Sequence, residues 1–320
     1  MFPKDMWLAR KSIDKLDLSR LKYLTEILFK TLPENINLNT EMEYLTKMEK
    51  YWAIELLAAE IFSALGDVYK EYLPGRFLNY KRLVDILKEH YTTLLGKKII
   101  EFGCGSGVSL PMLVKEGARC TGIDQSYFAL EFLKHNSEKE GISNIDRIWG
   151  DFFKTKFQDN QFDISFNLGV FEHFKPEKQH ELIQKMARVT KETLLIAIPN
   201  PDSPLFQVLR SYEDTLDPGN ICPARSKMYP VKLKQLLKSV GFKIIKTSGI
   251  LLAPSRDLPP ETLTAETRNF FSNIPKMVPL REGKARIRDL IRFWDCVEQA
   301  TSDEDLWRYA WCRYALGSKI

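Results

Sequence analysis

The stretch Lys97-Lys98-Ile99-Ile100-Glu101-Phe102-Gly103-Cys104-Gly105-Ser106-Gly107 constrains the fold of this chain more than any other. An apolar run ends on an acid, three glycines follow at alternate positions, and Val108 to Val114 reads as the start of a helix. That is a strand, a tight turn and a helix N-terminus. Glycine has no Cβ, so the N–H groups of such a turn can approach a bound small molecule closely. The next apolar stretch, Cys120 to Ile123, ends on Asp124, 21 residues after Gly103. An acid there is placed to accept hydrogen bonds from two vicinal ribose hydroxyls. A dinucleotide fingerprint would put its third glycine at position 108. That position is Val108, which argues against a nicotinamide dehydrogenase.

Residues 97–200 alternate strand and helix patterns, the signature of a doubly wound parallel sheet. Strands are predicted at Ala118–Ile123, Ile145–Trp149, Phe162–Leu168 and Thr193–Ile198. Helices fall between them, at Ser126–Glu140 with a serine N-cap and at Pro176–Thr190. The long apolar runs suggest strands buried on both faces. A helix over Pro230–Val240, stopped by Gly241, precedes a sixth strand, Phe242–Ile250. A final strand is read over Arg308–Lys319, with Tyr309 to Leu316 as its apolar body. Residues 1–95 read as helical, with a break at Pro74-Gly75 and a helix over Asn79–Leu95, and form an N-terminal region that is either a bundle packed on the domain at 96–320 or a lid over its substrate. Another helical insertion is expected at about 253–306. Trp7, Tyr44, Tyr51 and Trp52 in the N-terminal region read as core aromatics.

The 320 residues suffice for a substantial core. A net charge of +5, spread along the whole chain, reads as a solvated surface and not as a nucleic-acid footprint. Five cysteines at long spacings, without Cys-x-x-Cys, argue against a metal site or a disulfide framework. The first residues have no signal-peptide core, and the most apolar stretch, Trp52–Leu65, is too short and too charged to cross a bilayer. A cytoplasmic protein without a membrane partner is the expectation.

From Glu101 to Gly107, and in order for over a hundred residues beyond, the chain resembles the class I S-adenosylmethionine-dependent methyltransferases. The resemblance implies a Rossmann-like core of seven mostly parallel strands, the seventh inserted antiparallel between five and six. It implies S-adenosyl-L-methionine as cofactor. Gly103, Gly105 and Gly107 would cradle the methionyl portion, Glu101 would position its ammonium, and Asp124 would hold the ribose. Gln125 would lie along the adenosine, Asp151 and Phe152 would read the adenine, and a backbone carbonyl near Leu168 would face the ammonium.

The run Leu168-Gly169-Val170-Phe171-Glu172-His173-Phe174 is similar to the segment of small-molecule O-methyltransferases of the quinone-biosynthesis type. It makes His173 the candidate general base, with a pKa expected near ~6.5, and Glu172 its orienting partner or a contact to the substrate. The base-clamping Asn/Asp-Pro-Pro-Tyr/Phe and the Pro-Cys nucleophile are absent after the fourth strand, and Asp202, Glu213, Asp214 and Asp217 are too scattered for a catechol-type metal site. The acceptor is therefore expected to be a small or medium organic molecule, methylated on O, N or C, in a pocket lined by residues such as Tyr212, Tyr229, Phe270 and Phe271. A homodimer interface would account for the same insertions. An RNA or protein methyltransferase and a non-catalytic S-adenosylmethionine-binding protein are the alternatives.

Overall fold

The computed structural model describes residues 74–203, 228–250 and 295–320, together with Trp52, Phe206, Gln207, Ala265, Arg268 and Asn269. The sequence readings over most of 1–73, 204–227 and 251–294, including Trp7, Tyr44, Tyr51, Tyr212, Glu213, Asp214, Asp217, Phe270 and Phe271, lie outside the described residues.

The described chain runs α1 (Pro74–His90), β1 (Lys98–Phe102), α2 (Ser109–Lys115), β2 (Arg119–Asp124), α3 (Tyr127–Lys139), β3 (Asp146–Trp149) and β4 (Phe162–Leu168). A 3-10 turn (Phe171–His173) follows, then α4 (Pro176–Val189), β5 (Thr190–Pro199), α5 (Leu233–Ser239), β6 (Phe242–Ile250), α6 (Asp303–Tyr309) and β7 (Cys312–Lys319). The seven strands form one sheet in the order β3-β2-β1-β4-β5-β7-β6. β1 pairs in parallel with β2 and β4, and β7 runs antiparallel to both β5 and β6. The strand order reverses direction between β1 and β4, and the crevice at such a switch point is where open α/β sheets bind ligands.

Both faces of the central strands are covered, as their unbroken apolar runs require. Ile99, Ile164 and Leu195 pack on one side with Leu83 and Leu87 of α1 and Leu110 of α2. Ile100, Phe102 and Ile196 pack on the other with Leu182, Ile183 and Met186 of α4. The local signals act as expected at several ends. The Ser126 hydroxyl accepts from the Ala129 N–H at 3.1 Å and starts α3, and Gly241, at φ 80°, follows α5.

Several boundaries differ from the sequence reading, among them the helix expected over Pro230–Val240, which spans Leu233–Ser239. The helix expected at Asn79–Leu95 spans Pro74–His90, because proline fits the first turn of a helix as well as it fits a break. β5 begins at Thr190, where α4 ends, its hydroxyl donating to the Met186 carbonyl at 2.5 Å. The last strand starts at Cys312 and not before Tyr309. Ser302 accepts from the Asp305 N–H and opens α6 with three acids in its first turn. At the other end, Asn200 Nδ2 donates to the carbonyls of Trp307, Arg308 and Ala310. These carbonyls have no partner inside the helix, so Asn200 ties the end of α6 to the end of β5.

Candidate functional site

The loop after β1 turns three times through left-handed backbone: φ is 67° at Gly103, 50° at Gly105 and 56° at Gly107. Each glycine is also required sterically. A Cβ on Gly103 would run into Val170 Cγ2, and one on Gly107 would lie 2.5 Å from Leu133 Cδ1. One on Gly105 would lie 2.6 Å from Trp52 Cζ2. The loop is pinned to β2 through the Ile123 carbonyl, which accepts from the N–H groups of Gly103 (2.8 Å) and Cys104 (3.1 Å).

Asp124 ends β2 directly opposite. Its Oδ2 accepts from the Gly105 N–H and its Oδ1 from the Ser126 N–H, both at 2.9 Å. Glu101 is 2% exposed and accepts from the Ser109 hydroxyl at 2.8 Å. Burial pushes its carboxyl up to about 8; the Ser109 bond pulls the other way and the Asp124 charge adds to the rise. A buried carboxyl at the mouth of a glycine loop favours a cationic group coming to rest beside it.

Beyond β2, Gln125 Nε2 reaches Asp151 Oδ1 at 3.3 Å, and the Gln125 carbonyl accepts from Trp149 Nε1 at 2.9 Å. Asp151 Oδ1 also accepts from the Phe153 N–H at 2.8 Å. Gln125 and Asp151 thus share one rim. The Phe152 ring is committed to the core, edge-on to Phe102 and Phe174. At the end of β4, Asn167 is fully buried and its Nδ2 donates to the Phe102 carbonyl at 2.5 Å, tying the ends of β1 and β4 together beside Leu168. Its Oδ1 has no hydrogen-bond partner among the described residues. Sequence reasoning gave Asn167 no role, although an amide near the end of the apolar strand Phe162–Leu168 was the available signal.

The 3-10 turn carries the two catalytic candidates. Glu172 is 2% exposed, with Oε2 unpartnered among the described residues, and burial raises its carboxyl to about 8. His173 is largely buried, and desolvation lowers its imidazole to about 4, not near the ordinary value expected from sequence. Its Nε2 stands 3.7 Å from Glu172 Oε1, beyond hydrogen-bond reach, so the pair is adjacent without being bonded. The turn is held from both sides: the Tyr229 N–H donates to the Glu172 carbonyl at 2.7 Å, and Gln179 Nε2 donates to the Phe174 carbonyl at 2.8 Å. Asp202 lies elsewhere, paired with Arg313 at 2.8 Å.

A methyltransferase-domain family model matches residues 99–193, from β1 into β5, and so contains the whole glycine loop, Asp124, Asp151 and the 3-10 turn. Over 192 residues the chain is 26% identical to a ubiquinone biosynthesis O-methyltransferase of Acinetobacter baylyi, covering 59% of this chain and 80% of that protein. Over 139 residues it is 30% identical to human EEF1A lysine methyltransferase 2, covering 41% of this chain and 58% of that protein. Among solved structures it is similar to magnesium protoporphyrin IX methyltransferase from Synechocystis with bound S-adenosylhomocysteine, at 16% identity and TM-score 0.48, covering 79% and 87% of the two chains. Residues 99–193 thus carry a methyltransferase domain, and together with the relatives this supports a class I S-adenosylmethionine-dependent methyltransferase.

The residues on the page fit S-adenosyl-L-methionine as the methyl donor. A loop where a Cβ has no room, a buried acid and a second acid at the end of β2 suit an amino acid joined to a nucleoside. Among the described residues no His, Cys, Asp and Glu side chains group to hold a metal, and no helix is long and apolar enough to cross a membrane.

Proposed function

We propose that this methyltransferase methylates a small or medium organic molecule, with a hydroxyl as the first acceptor to test. The observation that carries the reading is the buried pair Glu172–His173 on a strapped turn at the switch point, next to the glycine loop: Val170, one residue before the turn, fills the Cβ space of Gly103. The similarity to an O-methyltransferase of ubiquinone biosynthesis supports the same class of acceptor.

Gly103, Gly105 and Gly107 would hold the methionyl portion of the donor, Glu101 its ammonium and Asp124 its ribose. Gln125, Asp151 and the Phe152 N–H would meet the adenosine, and the carbonyl of Leu168 would turn to the ammonium. When bound, the donor supplies an activated methyl group on sulfonium sulfur. The chain aligns the acceptor, excludes water and takes up the acceptor's proton. His173 is neutral across the physiological range and offers a lone pair for that proton, while Glu172, protonated at neutral pH, can donate its own hydrogen bond to the acceptor.

The test is calorimetric titration with S-adenosylhomocysteine, followed by a screen of hydroxyl acceptors with labelled donor. Asp124→Ala and Gly105→Val, if folded, should lose ligand affinity. His173→Ala should keep affinity and lose turnover. Labelling of a lysine side chain in place of any hydroxyl would replace the small-molecule reading with a protein acceptor.

A further inference from the structure

The three glycines of the loop lack a Cβ for reasons that differ in one respect. Gly103 makes room for Val170 and Gly107 for Leu133, both from the segment that the family model matches. Gly105 makes room for Trp52, 53 residues upstream and outside that segment. Indole carbons Cζ2 and Cη2 would lie 2.6 and 2.7 Å from a Cβ at Gly105. The same ring meets Phe132 of α3 edge-on, with centroids 6.3 Å apart and planes at 69°. Trp52 therefore rests at once on the glycine loop and on the helix that follows Asp124.

Gly105 is also the glycine whose N–H is held by Asp124. A ligand touching both the Gly105 backbone and the Asp124 carboxylate lies within reach of an indole in van der Waals contact with that backbone. A large flat ring there keeps water away from Glu101 and Asp124, and charge interactions strengthen where water is excluded.

We propose that Trp52 is a cofactor-binding residue: its indole forms the wall of the donor site over Gly105, supplied by the N-terminal region and not by the methyltransferase core. This rests on the assignment of the glycine loop to S-adenosylmethionine.

The test is binding of S-adenosylhomocysteine to the full chain, read by calorimetry and by tryptophan emission. Trp52→Ala should weaken binding about tenfold or more, and Trp52→Phe, which keeps an aromatic face, by no more than about threefold. The wild-type emission should change on binding. Read in a Trp149→Phe background, which removes the indole bonded to the Gln125 carbonyl at the adenosine rim, that change should be lost in Trp52→Phe and kept in Trp307→Phe, whose indole lies on α6 beside Lys234 and Arg313. Unchanged or tighter binding by Trp52→Ala overturns the proposal, and so does an emission change that survives in Trp52→Phe. Should Trp52→Ala fail to fold, the emission of Trp52→Phe decides. A wild type that does not bind the ligand refutes the glycine-loop assignment itself, an outcome distinct from normal wild-type binding unaffected by Trp52.

Discussion

Glu101 gives the sharpest quantitative test of the donor site. It is 2% exposed, accepts from the Ser109 hydroxyl, and burial raises its carboxyl to about 8. At pH 7 the ligand-free protein therefore has this carboxyl roughly nine-tenths protonated. An ammonium group brought within contact distance lowers a carboxyl by ~1–3 units. A fall of about 2 units would leave the carboxyl only about one-tenth protonated at pH 7, so that ligand binding releases about 0.8 proton. At pH 9 the carboxyl is already ionised and the release falls to about 0.1. The assay is calorimetric titration with S-adenosylhomocysteine in buffers of low and high ionisation enthalpy; the slope of apparent enthalpy against buffer enthalpy counts protons. The ligand's own amino group titrates as well, so the decisive quantity is the difference between wild type and Glu101→Gln. That difference should be about 0.8 proton at pH 7 and about 0.1 at pH 9. Equal proton counts in the two proteins at pH 7 would falsify the contact. If the missing proton instead tracks Glu172→Gln, whose carboxyl is raised to the same value, the ammonium sits against the 3-10 turn.

Activity should respond to acid in a way set by His173, whose imidazole is lowered to about 4. The base form is lost only as pH falls through that value, so kcat/KM for a hydroxyl acceptor should stay level from pH 7 to about 5; a limb centred near ~6.5 would mean an ordinarily solvated imidazole in the working enzyme. Gly249→Ala should be severe, because a Cβ on Gly249 would strike the Leu306 carbonyl oxygen of α6 and come within 2.6 Å of the Ala310 Cβ. Backbone cannot swing aside as a side chain can, so thermal unfolding should show a loss of about 2 kcal/mol or more. Ser126→Ala removes the acceptor for the Ala129 N–H and should cost about 1 kcal/mol in denaturant unfolding; no change in midpoint would mean that the Asp124 bond to the Ser126 N–H already fixes the start of α3.

The legible parts of this chain are those whose physics is local. A glycine turn, an N-cap serine at 126 and apolar runs buried on both faces announce themselves over a few residues, and the sheet is built where they occur. The antiparallel β7 came from likeness to a family, since nothing in the residues 312–319 says which strands flank them. The misread start of that strand shows the limit. Tyr309, Ala310 and Trp311 look extended by composition, but α6 ends among them, where Asn200 Nδ2, more than a hundred residues earlier, donates to the last carbonyls. The same distance hid Trp52. As one aromatic among several in a helical region, it carries no pattern, and its place over Gly105 exists only once residues 52 and 105 are brought together. Burial had the largest effect on the chemistry: Glu172 and His173 are adjacent in sequence and were readable as a pair, yet one proton affinity is pushed up and the other down by the same desolvation. Desolvation penalises the charged form of each, so at neutral pH both are uncharged. An acceptor with a neutral hydroxyl would meet that surface without an unpaired charge, and on that ground it is the acceptor class we propose.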